Sequence, residues 1–504
     1  MDYSKSVGLN PKYNTFDLTH DKRLTLQMGE IIPVMALDVL PGDKFTIESS
    51  HLTRFMPLVT PVMHNVKVKM RYFFSPNRLV WDNWEDFITG PESATDIDEP
   101  THPTLITTSE PTTLTDYMGI STSSNNNQRT VQVNALPFAH YQFIYNEYFR
   151  DQNLVEEVEY KLGDGLVTSG TLQADLLAKR KVAWRHDRFT STLPFTQKGP
   201  EVTLPVVNND ILLKDIYDQT GTNLINGTLS AGAVGPITTG QLLAGSTPAT
   251  IKLRSTEFNA TTINELREAF AIQKWLELNA RSGNRYTEHI QAHFGVTPQD
   301  ARLQRPEEFG GSVATVQFSE VLQTSETDQN GTALGTMGGH GITASGSKKS
   351  SYYAQEHGWI FAFMYVVPDT AYYQGVPKKF DKIDRYDYYQ PLLAHLGEQP
   401  VKLKEIYARG TSNDENTFGY LPIYDEYRHE LNGVHGLMKS DLQEWHLARY
   451  FDTVPALNDD FINCDPSERI FVDINGESEQ VIAHVHNDVK VGRKIPYYGT
   501  PLGI

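Results

Sequence analysis

A single cysteine, Cys464, in 504 residues excludes an internal disulfide framework and suits assembly in a reducing cytoplasm. No apolar run approaches the roughly 20 residues that span a bilayer, so membrane insertion is not expected. The opening stretch MDYSKSVGLNPKYNTFDLTHDKR has no apolar core and does not read as a signal peptide, which makes a soluble, unexported chain the expectation. A basic excess is missing too. Lys and Arg number 44 against 62 Asp and Glu, a formal charge of -18 at pH 7. That argues against a simple nucleic-acid binder, whose basic face displaces counterions from phosphate. The exclusion does not reach a protein that meets nucleic acid with one surface only.

Hydrophobic residues make up 39% of the chain and aromatics 11%, enough for a substantial core. Strand signals come in widely separated blocks: Lys44 to Ser50, Val66 to Phe74, Ser312 to Gln323, Trp359 to Val367, Val401 to Tyr407 and Gln480 to Asn487. Val66, Val68, Met70 and Tyr72 alternate with Lys67, Lys69 and Arg71, the pattern of a strand with one buried face. Residues 360–367 (IFAFMYVV) are apolar throughout, which predicts cover on both faces. Long polar connectors separate the blocks, notably Pro91 to Ala135. Antiparallel strands joined by long excursions suit a double-sheet jelly roll, and there is no βαβ rhythm.

Helices are expected inside those excursions. In LPFAHYQFIYNEYFRDQNL, residues 136–154, the aromatic residues Phe138, Tyr141, Tyr145, Tyr148 and Phe149 recur at helical spacing, with His140, Glu147, Arg150 and Asp151 mostly on the other side. A core helix is the plain reading, and a brace between subunits is the sharper one. Thr262 and Glu265 form a candidate capping box for a helix running to about Ala280, and Tyr286 to His293 predicts a shorter one.

Catalytic patterns are thin. Gly341 to Lys348 (GITASGSK) has Ser where a phosphate loop needs Lys. His484 and His486 share one face of a predicted strand, but no further ligand pattern accompanies them, so no metal and no cofactor are expected. Asp425 and Glu426 could pair as glycosidase acids, yet adjacent carboxylates are common in so acidic a chain. Lys67, Lys69 and Arg71 on one strand, and Lys490, Arg493 and Lys494 beside Tyr497 and Tyr498 in the tail, are candidate contacts to single-stranded DNA, because cations interleaved with aromatics hold phosphate and base without reading sequence.

The words of several segments add to this. NEYFRDQN within 146–153, VLPGDKF at 39–45, FSPNRLVWDNW at 74–84, FTSTLPFTQKGPEVTL at 189–204, the run 266–296 followed by RLQRPEEFGG at 302–311, DRYDYYQPLLAHL at 384–396, and WHLA and PALNDDF within 445–461 stand in one order. Together they resemble the major capsid proteins of microviruses, the gokushovirus-like phages with small single-stranded DNA genomes.

That resemblance implies a mainly β chain folded as an eight-stranded viral jelly roll, an antiparallel β-sandwich whose long loop insertions carry a few helices. Residues 1–504 would form one elaborated capsid domain with an insertion at 206–258, where the family carries a protrusion at the three-fold axes. Within it, residues 219–251 hold no charged residue, and Leu224, Ile225, Leu229, Leu242 and Leu243 are candidates for host attachment. The implied partners are further copies of the chain, built through pentamers into an icosahedral shell, the packaged DNA, a minor pilot protein, a small basic DNA-associated protein, a scaffolding protein and a bacterial receptor. The implied location is the virion, assembled in the host cytoplasm. The rival is a bacterial carbohydrate-active β-sandwich enzyme or lectin, which would be a small oligomer with one carboxylate-lined cleft.

Overall fold

The computed structural model describes residues 13–90, 99–108, 110–120, 130–200, 202, 263–324, 335–472 and 479–497. Two compact units divide the chain, one of 1–196 with 282–504 and one of 197–281.

In the larger unit, the first strands are β1 (Asn14–Asp17), β2 (His20–Leu26), β3 (Ile32–Val39), β4 (Lys44–Phe55) and β5 (Val66–Pro76). A separate pair follows, β6 (Thr104–Thr108) and β7 (Thr130–Asn134). Next come β8 (Glu307–Thr315), β9 (Gln317–Leu322), β10 (Met337–Gly346), β11 (Ser350–Tyr353) and β12 (Gly358–Pro368). A second small pair, β13 (Glu398–Lys402) and β14 (Thr417–Pro422), precedes β15 (Val481–Arg493).

Two sheets form the sandwich, and every pairing in them is antiparallel. One has seven strands, in the order β1-β15-β4-β10-β9, with β2 also on β15 and β11 also on β4. The other is β3-β12-β5-β8. β1 and β2 share one lane along β15, β10 and β11 share one along β4, and β8 runs into β9 through Val316 as the chain passes from one sheet to the other. Counted as continuous runs, these are the eight strands of a jelly roll.

Alternation explains the first core. Phe45, Ile47 and Phe55 of β4, Val68, Met70 and Tyr72 of β5 and Val485 and Val489 of β15 point between the sheets. The apolar run in β12 serves two cores at once: Ile360, Ala362 and Met364 face the sandwich interior, while Phe361, Phe363 and Tyr365 face a second core beyond the four-stranded sheet. A strand buried on both faces has no polar position to alternate with. The far face of the seven-stranded sheet is the opposite case, with Glu48, Ser50, Leu52 and Arg54 of β4 and Ile482, His486 and Lys490 of β15 exposed.

Two expected strands are corrected. The block Ser312 to Gln323 is β8 and β9, broken where the N–H of Val316 turns to the carbonyl of Val66 at 2.9 Å. Of Val401 to Tyr407, only the first two residues are strand. The chain then coils into a 3-10 turn at Leu403–Glu405, because the carboxylate of Glu405 accepts from the N–H of Lys402 at 3.1 Å. The connector Pro91 to Ala135 is likewise not bare loop, since it holds the β6-β7 pair.

In the smaller unit, the helix Ile263–Ser282 matches its expected extent, and Ile263, Phe270, Ile272 and Trp275 on it are exposed. Thr262 of the candidate capping box lies outside the described residues. So does the insertion 206–258 with Leu224, Ile225, Leu229, Leu242 and Leu243. The helix Tyr286–Phe294 of the larger unit is also as expected.

Candidate functional site

Three groups of residues were candidates for surface contacts, and the structure distributes them differently. The helix Leu136–Tyr148 starts with Asn134 Oδ1 accepting from the N–H of Leu136 at 2.8 Å, with Pro137 in its first turn. Its aromatic stripe is not an interface. Phe138, Tyr141, Tyr145 and Phe149 are buried in the chain's own second core, against Phe73, Phe361 and Phe363. Phe149 meets Tyr365 edge to face at 5.5 Å, and Tyr141 meets Phe363 the same way at 5.5 Å. Tyr141 also donates its hydroxyl to the carbonyl of Ile31 at 2.9 Å and accepts from the N–H of Arg180 at 3.0 Å.

Tyr148 is partly buried, tilted against Phe73 at 4.8 Å and under the Arg305 guanidinium at 4.6 Å, with its hydroxyl donated to Asp300. All five aromatics are therefore used within one subunit. The expected polar side of the helix is partly enclosed too, with Glu147, Arg150 and Asp151 half-buried. His140 is enclosed, its ring nitrogens 2.7 Å from Ser75 Oγ and 2.9 Å from Asn77 Oδ1, and burial holds its pKa down at about 3. An amphipathic pattern reports one buried face; here sheet, loops and short helices enclose both sides.

The basic strand face of β5 is half-buried, and most of its charge is paired within the chain. Lys67 places its amine 2.7 Å from Asp369 Oδ1, and Arg71 forms a two-pronged pair with Glu308, Nε to Oε1 at 2.7 Å. Lys69 stands 5.9 Å from the Tyr365 ring, and burial, followed by the nearby Lys67 charge, lowers its pKa. In the tail, Arg493 is held by Asp43 at 2.8 Å and by the carbonyl of Asp38. Lys67, Arg71 and Arg493 are thus engaged by carboxylates of the same chain, and Lys69 lies half-buried between the first two. Lys490 and Lys494 are exposed, Lys494 beside the Tyr13 ring at 5.4 Å. Tyr497 packs on Phe16 at 5.1 Å, and Tyr498 lies outside the described residues.

The histidine pair has a partner that sequence spacing did not reveal. Asp21 of β2 sits between them, 2.6 Å from His486 Nδ1 and 3.4 Å from His484 Nε2, and the bond with His486 lowers the Asp21 pKa. Among the described residues no group of three or more His, Cys, Asp or Glu side chains could hold a metal ion. The Asp425 and Glu426 carboxylates are separately paired, to Arg188 at 3.0 Å and Lys382 at 3.0 Å, so they do not face each other as an acid and a base. Gly341 to Gly346 belongs to β10 and is followed by β11, which leaves no helix to receive a phosphate.

What remains open is the far face of the seven-stranded sheet. At the β2 edge a cleft of about 610 Å³ is lined by Arg23, Arg54 and His484 with Leu52, Ile482 and Pro111. Among the described residues Arg54 has no acidic partner, and Lys490 is exposed on the same face. Arg23 lies 3.8 Å from Asp21 and Lys490 3.9 Å from Asp488, so of these three cations Arg54 alone stands without an ion pair among the described residues. The outward alternation of Ser50, Leu52 and Arg54 was the sequence signal for it, but register against β15 was needed to bring Arg54 opposite Ile482.

Among the described residues no helix is long and apolar enough to cross a membrane. Comparison with known proteins is decisive about kinship. The family described as capsid protein (F protein) matches residues 9–502. Capsid protein VP1 of Bdellovibrio phage phiMH2K is 33% identical, over 99% of this chain and 97% of its own length. Capsid protein VP1 of Chlamydia phage 1 is 31% identical, over 97% and 95%. Capsid protein VP1 of Spiroplasma virus 4 is 30% identical, over 92% and 90%.

Proposed function

The chain belongs to the capsid protein (F protein) family, and on that premise we propose that its copies assemble through pentamers into an icosahedral shell around a circular single-stranded DNA genome. Its role is that of a microvirus major capsid protein, a structural component of the virion and not an enzyme. The observation that carries the shell is the family match over nearly the whole chain, together with an antiparallel sandwich elaborated by long excursions. Chemically identical subunits that bury complementary surfaces repeatedly close into a symmetric particle.

Genome contact falls on the far face of the seven-stranded sheet. Arg54 can neutralise phosphate there, joined by Arg23 and Lys490 if they exchange their long contacts to Asp21 and Asp488, while Leu52 and Ile482 give apolar ground for unstacked bases. A net charge of -18 is no obstacle, since only one face need meet DNA. The insertion 206–258 would form the outward protrusion. Many copies on one particle would give even weak contacts to a bacterial receptor useful avidity. A pilot protein, a small basic DNA-associated protein and a scaffolding protein complete the expected partners, with assembly in the host cytoplasm.

The test is to purify the particles and digest them with nuclease before and after opening them. Circular single-stranded DNA protected only in intact particles supports the reading; particles that never protect DNA refute it. Deleting 219–251 should leave shells able to form but abolish adsorption to the host, and normal infectivity of that deletion would remove the insertion from attachment.

A further inference from the structure

Isolated exposed apolar residues are ordinary on protein surfaces, but a dense run of them is not. Between residues 380 and 396, Phe380 is 73% exposed, Ile383 91%, Tyr386 56%, Tyr389 52%, Leu392 91% and Leu396 66%. With full side chains of about 150 to 250 Å², that is roughly 650 to 1,050 Å² of outward surface, above the roughly 300 to 600 Å² of the largest patch on a typical monomer.

The segment is not loose chain. Three 3-10 turns, Lys378–Phe380, Arg385–Asp387 and Pro391–His395, set its path. The carboxylate of Asp387 accepts from the N–H groups of Ile383 and Asp384 at 2.9 and 2.8 Å. Tyr389 packs edge-on against Tyr424 at 5.2 Å, and the N–H of Gln390 donates to the Tyr424 hydroxyl at 3.3 Å.

Part of its charge is turned inward. Lys382 reaches Glu426 at 3.0 Å beneath the Tyr427 ring, 3.7 Å from its centroid. Asp381 gathers Lys404 at 2.6 Å, Lys402 at 3.3 Å and Lys378 at 3.8 Å. Lys382 and the flanking Lys378, Lys402 and Lys404 are thus neutralised from within, while Asp384 and Arg385 stay at the surface among the apolar side chains. A surface already ordered in this way loses little conformational freedom when it is covered.

We infer that the segment 380–396 is a seam between two copies of this chain in the shell, with Ile383 and Leu392 at its centre. The inference rests on the capsid reading, because only there does every subunit meet others at high local concentration. The available area is close to the roughly 800 Å² that each partner contributes to a standard interface.

The experiment compares the full-length chain with Ile383→Asp/Leu392→Glu by sedimentation velocity and thermal melting, and follows maleimide labelling of Leu392→Cys. The only native thiol, Cys464, is fully buried and burial raises its pKa, so labelling reports the introduced thiol. Expected are at least a tenfold smaller fraction of pentamers and shells for the double variant at an unchanged melting temperature, and at least tenfold slower labelling of Leu392→Cys in assembled particles than in free subunits. Wild-type yields of particles from the double variant, or equal labelling in both states, would overturn the seam. Loss of particles with a lowered melting temperature would overturn it too, since these side chains would then belong to the subunit's own packing. Normal particles that fail only to infect would give the patch to another partner. If the wild-type chain itself never assembles, it is the capsid reading that fails.

Discussion

The Nε2 of His140 stands 2.9 Å from Oδ1 of Asn77, and both side chains are buried between the helix Leu136–Tyr148 and the turn that follows β5. With Asn77 Oδ1 as acceptor, the imidazole is neutral, donating from Nε2 and accepting the Ser75 hydroxyl proton at Nδ1.

A pH dependence follows from this pair. Burial lowers the His140 pKa to about 3, below the roughly 6.5 of an unfolded chain. Above about pH 6.5 both states are neutral and the group's stability is fully present. As pH falls from there toward 3, the unfolded chain takes up a proton that the folded one refuses, and stability drops by up to about 1.4 kcal/mol per pH unit. His51, His64 and His446, all lowered first by burial, act in the same direction. Urea unfolding at pH 7 and pH 5 should show the loss, and His140→Gln, less stable at pH 7, should lose about 1 kcal/mol less per pH unit than wild type. An equal slope in both proteins would contradict it.

Tyr141 should behave as a core residue. Tyr141→Phe leaves the carbonyl of Ile31 and the N–H of Arg180 without their partner, at a cost of about 1 to 3 kcal/mol. Tyr141→Ala should cost about 3 to 5 kcal/mol. Denaturant midpoints check both, and a variant that loses assembly at unchanged stability would return the residue to an interface.

Arg188 is buried between Glu405 at 2.7 Å and Asp425 at 3.0 Å. Arg188→Met strands two buried carboxylates and should destabilise by about 3 to 5 kcal/mol. Adding Glu405→Gln and Asp425→Asn should recover part of that in chemical unfolding; no recovery would mean the charges are not what the substitution exposes.

The cations should separate into two kinds. Arg54→Ala with Lys490→Ala should lower the DNA content of particles while shells still form, read as the ratio of absorbance at 260 and 280 nm. Lys67→Met and Arg71→Met should lower the melting temperature and leave DNA content alone, because Asp369 and Glu308 already engage those charges. The reverse pattern would put the genome on the β5 face.

The sandwich was legible where one period governed a segment. Val66 to Tyr72 read correctly as a half-buried strand, and 360–367 as a strand covered on both faces. The start of the helix at Leu136 was placed to within a residue, yet its surroundings were misread. Periodicity tells which residues share a face but not what packs there, and the neighbours that bury His140 come from Ser75 and Asn77, more than 60 positions away. The same limit hid the partners of Lys67 and Arg71, Asp369 and Glu308, which lie beyond 200 positions in sequence. The strand β10 escaped notice because Gly, Ser and Thr dilute its pattern, while its lane along β4 is set by pairing. Family kinship was legible, because it rests on the wording of many ordered blocks and needs no long-range contact.

Sedimentation velocity of the purified full-length chain, with electron microscopy of the fastest fraction, tests the central claim most directly. The capsid account predicts pentamers or megadalton icosahedral particles of one size. A chain that stays monomeric at every concentration, and in the presence of its scaffolding partner, would contradict it.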